Sequence, residues 1–390
     1  MPSYILDAIR SPFGRLGKGL AEVRPDDLAA SVMASLMARN TEFEPGQLDD
    51  IILGDANQAG EDNRNVARMA GLLAGFPTTV PGVTVNRLCS SGLESVVQAS
   101  RAIESGDQSL VLAGGVESMT RAPWVLPKPD RGFPAMNQTL WSSTLGWRMV
   151  NPKMDPHWTI PNGESAEILA ERFSISRDAQ DEFATRSHRL AHHAWEQGIF
   201  NEEVVRIEDT ELDTDEGIRP DTTPESLAAL KPAFRKDGGS VTAGNSSQLS
   251  DGAAVLLVGG EAEARVAEPM CRIVSRAVVG NDPDIFGVAP VEAANRALAQ
   301  AGKTWADVDV VELNEAFASQ SLACLQGWPD VDPEIVNIHG GAIAIGHPLG
   351  ASGARILGHL AHELVRRGSG VGVAAICIGV GQGLAVVVER

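Results

Sequence analysis

The sequence predicts an α/β protein built from two related halves with a separate unit inserted between them. Short, fully apolar runs alternate with helical patterns, which implies strands covered on both faces. A pattern from the first third of the chain recurs near the C-terminus. Between the two copies lies a stretch, roughly 120–245, with a different composition. At 390 residues the chain is too long for one compact core and fits two or three packed units.

The repeat can be followed element by element. Residues 47–54 read Q-L-D-D-I-I-L-G and residues 306–313 read A-D-V-D-V-V-E-L, each a short buried-strand pattern after a helical stretch. Asp50 matches Asp309, an offset of 259 (309 − 50). The same offset carries Cys89 to position 348, one residue from His347. Around both points a strand, Val83–Leu88 in one copy and Ala342–Ile345 in the other, is expected to enter a tight Gly/Ser turn. A helix follows, with apolar spacing at Leu93, Val96, Val97 and Ile103 in the first copy and at Ile356, Leu357, Leu360 and Leu364 in the second. Each helix is expected to end at a glycine, Gly106 or Gly368. Apolar strands then run into glycine over Leu110–Gly115 and Val371–Gly379.

The insert holds five of the seven tryptophans (Trp124, Trp141, Trp147, Trp158 and Trp195). It also holds an amphipathic pattern from about Arg177 to Gln197, with Ser176 as its N-cap. We read it as a lid. The division expected is residues 1–119 plus 246–268 for the first half, 120–245 for the lid and 269–390 for the second half. Arg219, Lys231, Arg235 and Lys236 form a basic cluster at the end of the lid, suited to a phosphorylated ligand or simply a solvated surface.

Composition excludes several functions. A net charge of −19 repels a polyanion, so nucleic acid is not an expected partner. No run of 18 apolar residues marks a membrane span. The first residues carry no basic and apolar leader and the last three no peroxisomal address, so a cytoplasmic location is expected. Cys89, Cys271, Cys324 and Cys377 lack CxxC spacing; free thiols are expected and no metal site is indicated.

Strand-to-helix turns put side chains at the carboxyl edge of a sheet, where α/β sites lie. If the halves pack about a pseudo-twofold axis, Cys89 and His347 converge on one pocket. Cys89, in V-N-R-L-C-S-S-G, precedes a helix whose dipole favours the thiolate, the nucleophilic form. A lone cysteine is equally at home as a small buried hydrophobe. His347, in G-G-A-I-A-I-G-H-P-L-G-A-S-G, can accept a thiol proton or donate to an oxyanion, or simply satisfy a turn. Cys377, in C-I-G-V-G-Q-G, lacks the spacing of a dinucleotide loop and suits an acid/base beside backbone N–H groups. Asn314, after the expected buried strand Val308–Leu313, can hold a water or an oxyanion, or cap a helix.

These four motifs, in this order and spacing, resemble the thiolase family over the whole chain. G-G-V-E-S-M at 114–119 and T-A-G-N-S-S-Q-L-S-D-G-A-A at 242–254 extend the resemblance. It implies a five-layer α-β-α-β-α core of two duplicated halves with a lid over the site. It implies that Cys89 is acylated, that His347 activates it, and that Cys377 is the acid/base for the acetyl α-carbon. Asn314 would hold a water that, with His347, binds the thioester oxygen. The N–H groups of Cys89 and Gly379 would form a second oxyanion hole. Ser247 matches the serine at the pantetheine arm and Arg219 the arginine near the nucleotide end. The implied partners are coenzyme A and acyl-CoA as substrates, with no permanently bound cofactor and no metal, in a homodimer or homotetramer.

The expected reaction is thiolytic cleavage of a 3-ketoacyl-CoA to acetyl-CoA and a shortened acyl-CoA, as in fatty-acid β-oxidation. An acetoacetyl-specific biosynthetic acetyltransferase is the alternative, and a non-catalytic acyl-CoA-binding protein a further one. Ser90, His339 and Gln248 depart from common family residues. Pro161-Asn162 stands where acetoacetyl-specific members often have His-Met, which argues for longer or functionalised chains. A ketosynthase shares the fold but pairs its cysteine differently, and Cys377 argues against it.

Overall fold

The computed structural model describes all 390 residues. The first half contributes strands β1 (Ser3–Arg10), β2 (Asp50–Gly54), β3 (Val83–Val85), β4 (Leu110–Ser118) and β5 (Ser250–Gly259). The second contributes β6 (Cys271–Gly280), β7 (Val310–Leu313), β8 (Val371–Ile378) and β9 (Gln382–Glu389). Their hydrogen-bonded order is β7-β8-β9-β6-β1-β5-β4-β2-β3. The two halves meet where β1 pairs antiparallel with β6.

The duplication is visible in register. Ile52 of β2 pairs in parallel with Ala113 of β4, and Val311 of β7 pairs in parallel with Val373 of β8. Val311 is Ile52 carried on by 259. On the other side, Ile52 pairs with Val83 in parallel and Val311 makes a single parallel bridge to Val336. Val336, not the run at 342–345, is therefore the counterpart of β3.

The strand expected at Ala342–Ile345 is instead a buried helical turn, α8 (Ala342–Ile345). Two local features cause this. The Asn337 side chain donates to Leu313 O and accepts from Leu313 N–H, both at 2.8 Å, and so occupies the sheet edge where a strand would continue. The Glu315 carboxylate then accepts the Ile343 N–H at 3.2 Å near the start of the turn, where an anion is favoured. Four apolar residues carry no periodicity by which to tell the two states apart.

Helices α3 (Ser91–Ser105) and α9 (Leu349–Arg367) cross in the middle layer. α9 touches β1, β4 and β5 of one half and β7 and β8 of the other. Glycines allow that approach: a Cβ at Gly353 would lie 2.4 Å from Leu93 N, and one at Gly92 2.5 Å from Gly350 O. Both helices end at left-handed glycines, Gly106 (φ 83°) and Gly368 (φ 81°), as the sequence predicts. α9 is buried from Gly350 to Glu363, so its polar residues need internal partners. Arg355 reaches Glu312 at 3.1 Å, His359 reaches Glu203 at 2.7 Å and His362 reaches Ala8 O at 2.8 Å.

Helices α1 (Pro25–Arg39) and α2 (Val66–Leu73) cover the outer face of the first half, and α6 (Ala289–Gln300) that of the second, which completes five layers. In the inserted stretch, α4 (Asn162–Arg172) packs against α7 (Ala318–Gly327), and α5 (Arg177–Glu196) against the turn at 342–345. Ser176 caps α5 by accepting the Ala179 N–H at 3.1 Å. No helix is long and apolar enough to cross a membrane.

Candidate active site

Cys89 sits in a tight turn between β3 and α3. Asn86 Oδ1 accepts the Leu88 N–H at 2.9 Å, and Ser91 Oγ accepts the Arg87 N–H and donates to Leu88 O. These bonds hold Leu88 at φ 48°, a left-handed conformation that costs a non-glycine residue about 1–3 kcal/mol. The strained residue thus directly precedes the candidate nucleophile.

A second strained turn faces it. β8 and β9 pair through Ile378 and Gln382, which leaves the loop Gly379-Val380-Gly381. Val380 lies at φ 62°, an outlier for a β-branched residue. The Gly379 N–H points at the Cys89 sulfur, and the Cys89 N–H does the same. The Trp147 ring closes over this point: a Cβ on Gly379 would lie 3.2 Å from it.

His347 enters from the turn between the 342–345 helix and α9. Its backbone N–H lies 3.2 Å from both Gln248 O and Ser250 Oγ. The preceding Gly346 has φ 115° and ψ 165°, open essentially to glycine alone, and a Cβ there would meet Ser250 Oγ at 2.4 Å. His347 Nδ1 is 2.6 Å from Ser352 Oγ. Ser352 Oγ donates its own proton to Pro348 O at 2.9 Å, so it accepts from Nδ1–H. That fixes the tautomer: Nε2 is the unprotonated nitrogen, and it is buried with no protein partner.

Cys89, His347, Gly379 and Ser247 line one cavity of about 990 Å³. Cys377 and Asn314 are fully buried and do not line it. Cys377 is close enough to Cys89 for a Cys89 thiolate to disfavour ionisation of Cys377. Asn314 follows β7 and neither of its side-chain polar atoms has a protein partner. Pro161 and Asn162 also face the cavity. Arg219 is exposed and outside it, its backbone N–H on His188 Nδ1. In the expected basic cluster, Arg235 is engaged by Glu164 (2.6 Å) and Glu171 (2.5 Å). Lys231 and Lys236 are exposed.

Electrostatics differ from the expectation of a helix-favoured thiolate. Burial pushes the Cys89 thiol up to about 11 against the pull of the two N–H groups, and the nearby Glu117 carboxylate adds to the rise. Burial also raises Cys377 well above the usual thiol value. Burial and Arg355 lower His347 to about 3. These shifts favour a neutral thiol and a neutral imidazole in the one cavity, so an attack by the sulfur would require its proton to move.

Sequence reading missed four residues. Glu117, in G-G-V-E-S-M, ends the apolar strand β4, and its carboxylate accepts the Ala56 and Gly350 N–H groups at 3.0 and 2.8 Å. Burial lifts it to about 7. A charge at the end of an all-apolar run was the available signal. Ser352 lies five residues after His347 in the same glycine-rich motif. Trp147 and Arg148 belong to the inserted stretch, and their part in the cavity wall carried no local signal.

Comparison with known proteins agrees with this geometry. Residues 3–262 match the thiolase N-terminal domain family and residues 267–390 the thiolase C-terminal domain family. The chain is 48% identical over 400 residues to the 3-oxoadipyl-CoA/3-oxo-5,6-dehydrosuberyl-CoA thiolase of Escherichia coli, covering 100% of this chain and 99% of that one. It is 49% identical over 398 residues to the β-ketoadipyl-CoA thiolase of Pseudomonas aeruginosa, covering 99% and 98%. It superposes on human mitochondrial 3-ketoacyl-CoA thiolase in complex with CoA with a TM-score of 0.93 at 38% identity, covering 100% and 98%. Matched in both halves and in its overall fold, the chain belongs to the thiolase family and is an acyltransferase that cleaves a 3-ketoacyl-CoA with CoA to acetyl-CoA and a shortened acyl-CoA.

Proposed function

We propose that Cys89 carries the acyl group and that the physiological substrate is a 3-ketoacyl-CoA longer than acetoacetyl and bearing a terminal carboxylate, of the 3-ketoadipyl class. The observation that carries the chemistry is one constellation: the Cys89 sulfur under the Gly379 N–H, in the same cavity as a His347 whose Nε2 is free to take a proton. Cys89 Sγ attacks the 3-keto carbon as its proton passes to His347 Nε2. The N–H groups of Cys89 and Gly379 hold the oxyanion. The C2–C3 bond breaks, its electron pair passes to the acetyl unit, and the enolate oxygen is held by protonated His347 and a water on the Asn314 amide. Cys377 protonates C2 and acetyl-CoA leaves. The Cys377 thiolate regains its proton from the incoming CoA thiol, whose sulfur attacks acyl-Cys89; the acyl–Cys89 bond breaks, the Cys89 sulfur takes its proton back from His347, and the shortened acyl-CoA leaves. Ser247 serves the pantetheine arm, and Arg219, outside the cavity, is left for the nucleotide end.

The substrate class rests on two supports. Relatives sharing 48–49% identity over nearly the full length are named for 3-oxoadipyl or β-ketoadipyl substrates. Pro161 and Asn162 form part of the cavity wall in place of His-Met. The relatives favour a degradative role on dicarboxylic chains over fatty-acid β-oxidation, and the wall residues favour chains longer than acetoacetyl. We further propose a cytoplasmic homodimer or homotetramer, with residues 120–245 as the lid between the halves 1–119 plus 246–268 and 269–390. A thiolysis panel of acetoacetyl-, 3-ketohexanoyl- and 3-ketoadipyl-CoA tests the substrate. Activity on the longer chains, with 3-ketoadipyl-CoA turned over best, supports it; activity confined to acetoacetyl-CoA contradicts it.

A further inference from the structure

Among the residues lining the catalytic cavity, one alone is a lysine or arginine: Arg148, in the lid. Its situation is unusual for this chain. Asp and Glu outnumber Lys and Arg by 51 to 32, and several other buried or half-buried arginines are engaged by carboxylates. Arg10 binds Glu203 and Asp215, Arg87 binds Glu94, and Arg121 binds Glu61. Arg148 has no carboxylate partner, and its single protein hydrogen bond is a long one, Nη2 to Asn57 Oδ1 at 3.4 Å. Asn57 is itself fixed: its N–H donates to Asp55 Oδ1 at 3.0 Å and its Nδ2 to Ser143 Oγ at 2.9 Å. The guanidinium is thus steadied at one nitrogen while the rest of its planar donor fork is uncommitted in a half-buried cavity wall.

Its place relative to the chemistry follows from its neighbour. Trp147 packs on Gly379, whose N–H faces the Cys89 sulfur. Arg148 is the next residue in the chain and lines the same cavity. In a 3-ketoadipyl unit the terminal carboxylate lies three carbon–carbon bonds beyond the carbon that Cys89 attacks. A flexible arginine one residue from the wall over the nucleophile suits that reach. In a strongly acidic protein a local cation favours the entry of an anionic acyl tail. Burial raises the Glu117 carboxyl in the cavity wall and the nearby Asp55, which disfavours their charged forms.

We infer that Arg148 is the specificity-determining residue for the acyl tail, binding the terminal carboxylate of a dicarboxylic 3-ketoacyl-CoA through its uncommitted guanidinium N–H groups. The inference rests on the substrate class proposed above and names the group that would select it. Recognition is by charge-assisted hydrogen bonds, and a site built to bind an anion discriminates against the uncharged analogue of the same length.

The test uses the intact enzyme and two substrates of equal chain length, 3-ketoadipyl-CoA and the uncharged 3-ketohexanoyl-CoA, with wild type, Arg148→Met and Arg148→Lys. The readout is the ratio of kcat/KM for the charged over the uncharged substrate, so a general loss of activity through lid damage or weaker CoA binding cancels. Loss of a charge-assisted pair predicts a fall in that ratio of about 10- to 100-fold in Arg148→Met, with Arg148→Lys between the two. An unchanged ratio in Arg148→Met, while wild type cleaves 3-ketoadipyl-CoA well, overturns the role of Arg148 and leaves the substrate reading standing. Failure of wild type to cleave 3-ketoadipyl-CoA overturns the substrate reading and this inference with it.

Discussion

Replacing Ser352 with alanine removes the group that decides which nitrogen of His347 carries a proton. Ser352 Oγ donates to Pro348 O and therefore accepts from Nδ1–H at 2.6 Å, leaving Nε2 as the base. His347 is only 6% exposed and Ser352 not at all, so water does not readily replace the lost acceptor. Two responses are open to the ring. It keeps the Nδ1 proton as a buried, unsatisfied donor, which costs about 1–3 kcal/mol. Alternatively the proton shifts to Nε2, and the nitrogen facing the cavity can no longer accept the Cys89 proton. Both raise the barrier to forming the acyl-enzyme. At 1.36 kcal/mol per factor of ten, the expected loss in kcat/KM for thiolysis is about 5- to 150-fold. The same loss should appear in the rate at which acetyl-CoA acetylates Cys89, followed by rapid quench and mass spectrometry, because that step needs the base. A Ser352→Ala enzyme that acetylates within twofold of wild type would refute the tautomer argument, whatever its melting temperature.

Two further perturbations follow from the same geometry. Glu117→Gln keeps an oxygen for the Ala56 and Gly350 N–H groups but removes a carboxyl raised from an ordinary 4.5 to about 7. A raised acid binds its proton more tightly when folded, so its contribution is fully present below pH 4.5 and lost as pH rises through 7; the loss is about 3 kcal/mol. Urea unfolding at pH 5 and pH 8 should show a smaller fall in stability for Glu117→Gln than for wild type, with Asp55 and Asp62 supplying the remaining slope; equal slopes contradict this. Removing that charge should also make Cys89 easier to ionise, so iodoacetamide should label it faster than in wild type above pH 7. Gly346→Ala forces a Cβ into a glycine-only conformation 2.4 Å from Ser250 Oγ, and should cost about 2–4 kcal/mol of stability with loss of thiolysis; a stable, fully active variant contradicts the placement of His347.

Much of this architecture is legible in the amino-acid order, for definite reasons. The all-apolar runs that became β4 and β8 can only be buried strands, and the glycines at 106 and 368 end helices because their backbone takes a left-handed turn. The offset between Asp50 and Asp309 survives as strand register, Ile52 with Ala113 and Val311 with Val373. The glycine-flanked motifs around Cys89, His347 and Gly379 mark the cavity because tight turns at sheet edges need them. What failed depends on contacts distant in sequence. The turn at 342–345 is helical because Asn337 and Glu315 complete the local hydrogen bonds. The Cys89 thiol is raised rather than lowered because burial and Glu117 outweigh the helix end, and no local pattern reports burial. The positions of Ser352 and Arg148 at the site emerge only once α9 and the inserted stretch are folded against it. His339, a conceivable alternative base, lies against His359 at 3.0 Å and does not line the cavity.

The central claim is a division of labour between two buried cysteines: Cys89 takes the acyl group and Cys377 moves the α-carbon proton. Transfer of acetyl from acetyl-CoA to Cys89 involves no α-carbon proton, whereas thiolysis and condensation both do. General acid–base catalysis contributes about 10²- to 10⁴-fold, which sets the loss of thiolysis expected for Cys377→Ala. The direct measurement is intact-protein mass spectrometry of Cys377→Ala and Cys89→Ala after incubation with acetyl-CoA. The account predicts a stable acetyl adduct on Cys377→Ala and none on Cys89→Ala. Absence of the adduct in a folded Cys377→Ala enzyme would contradict it and make Cys377 a support for the nucleophile instead of the proton carrier.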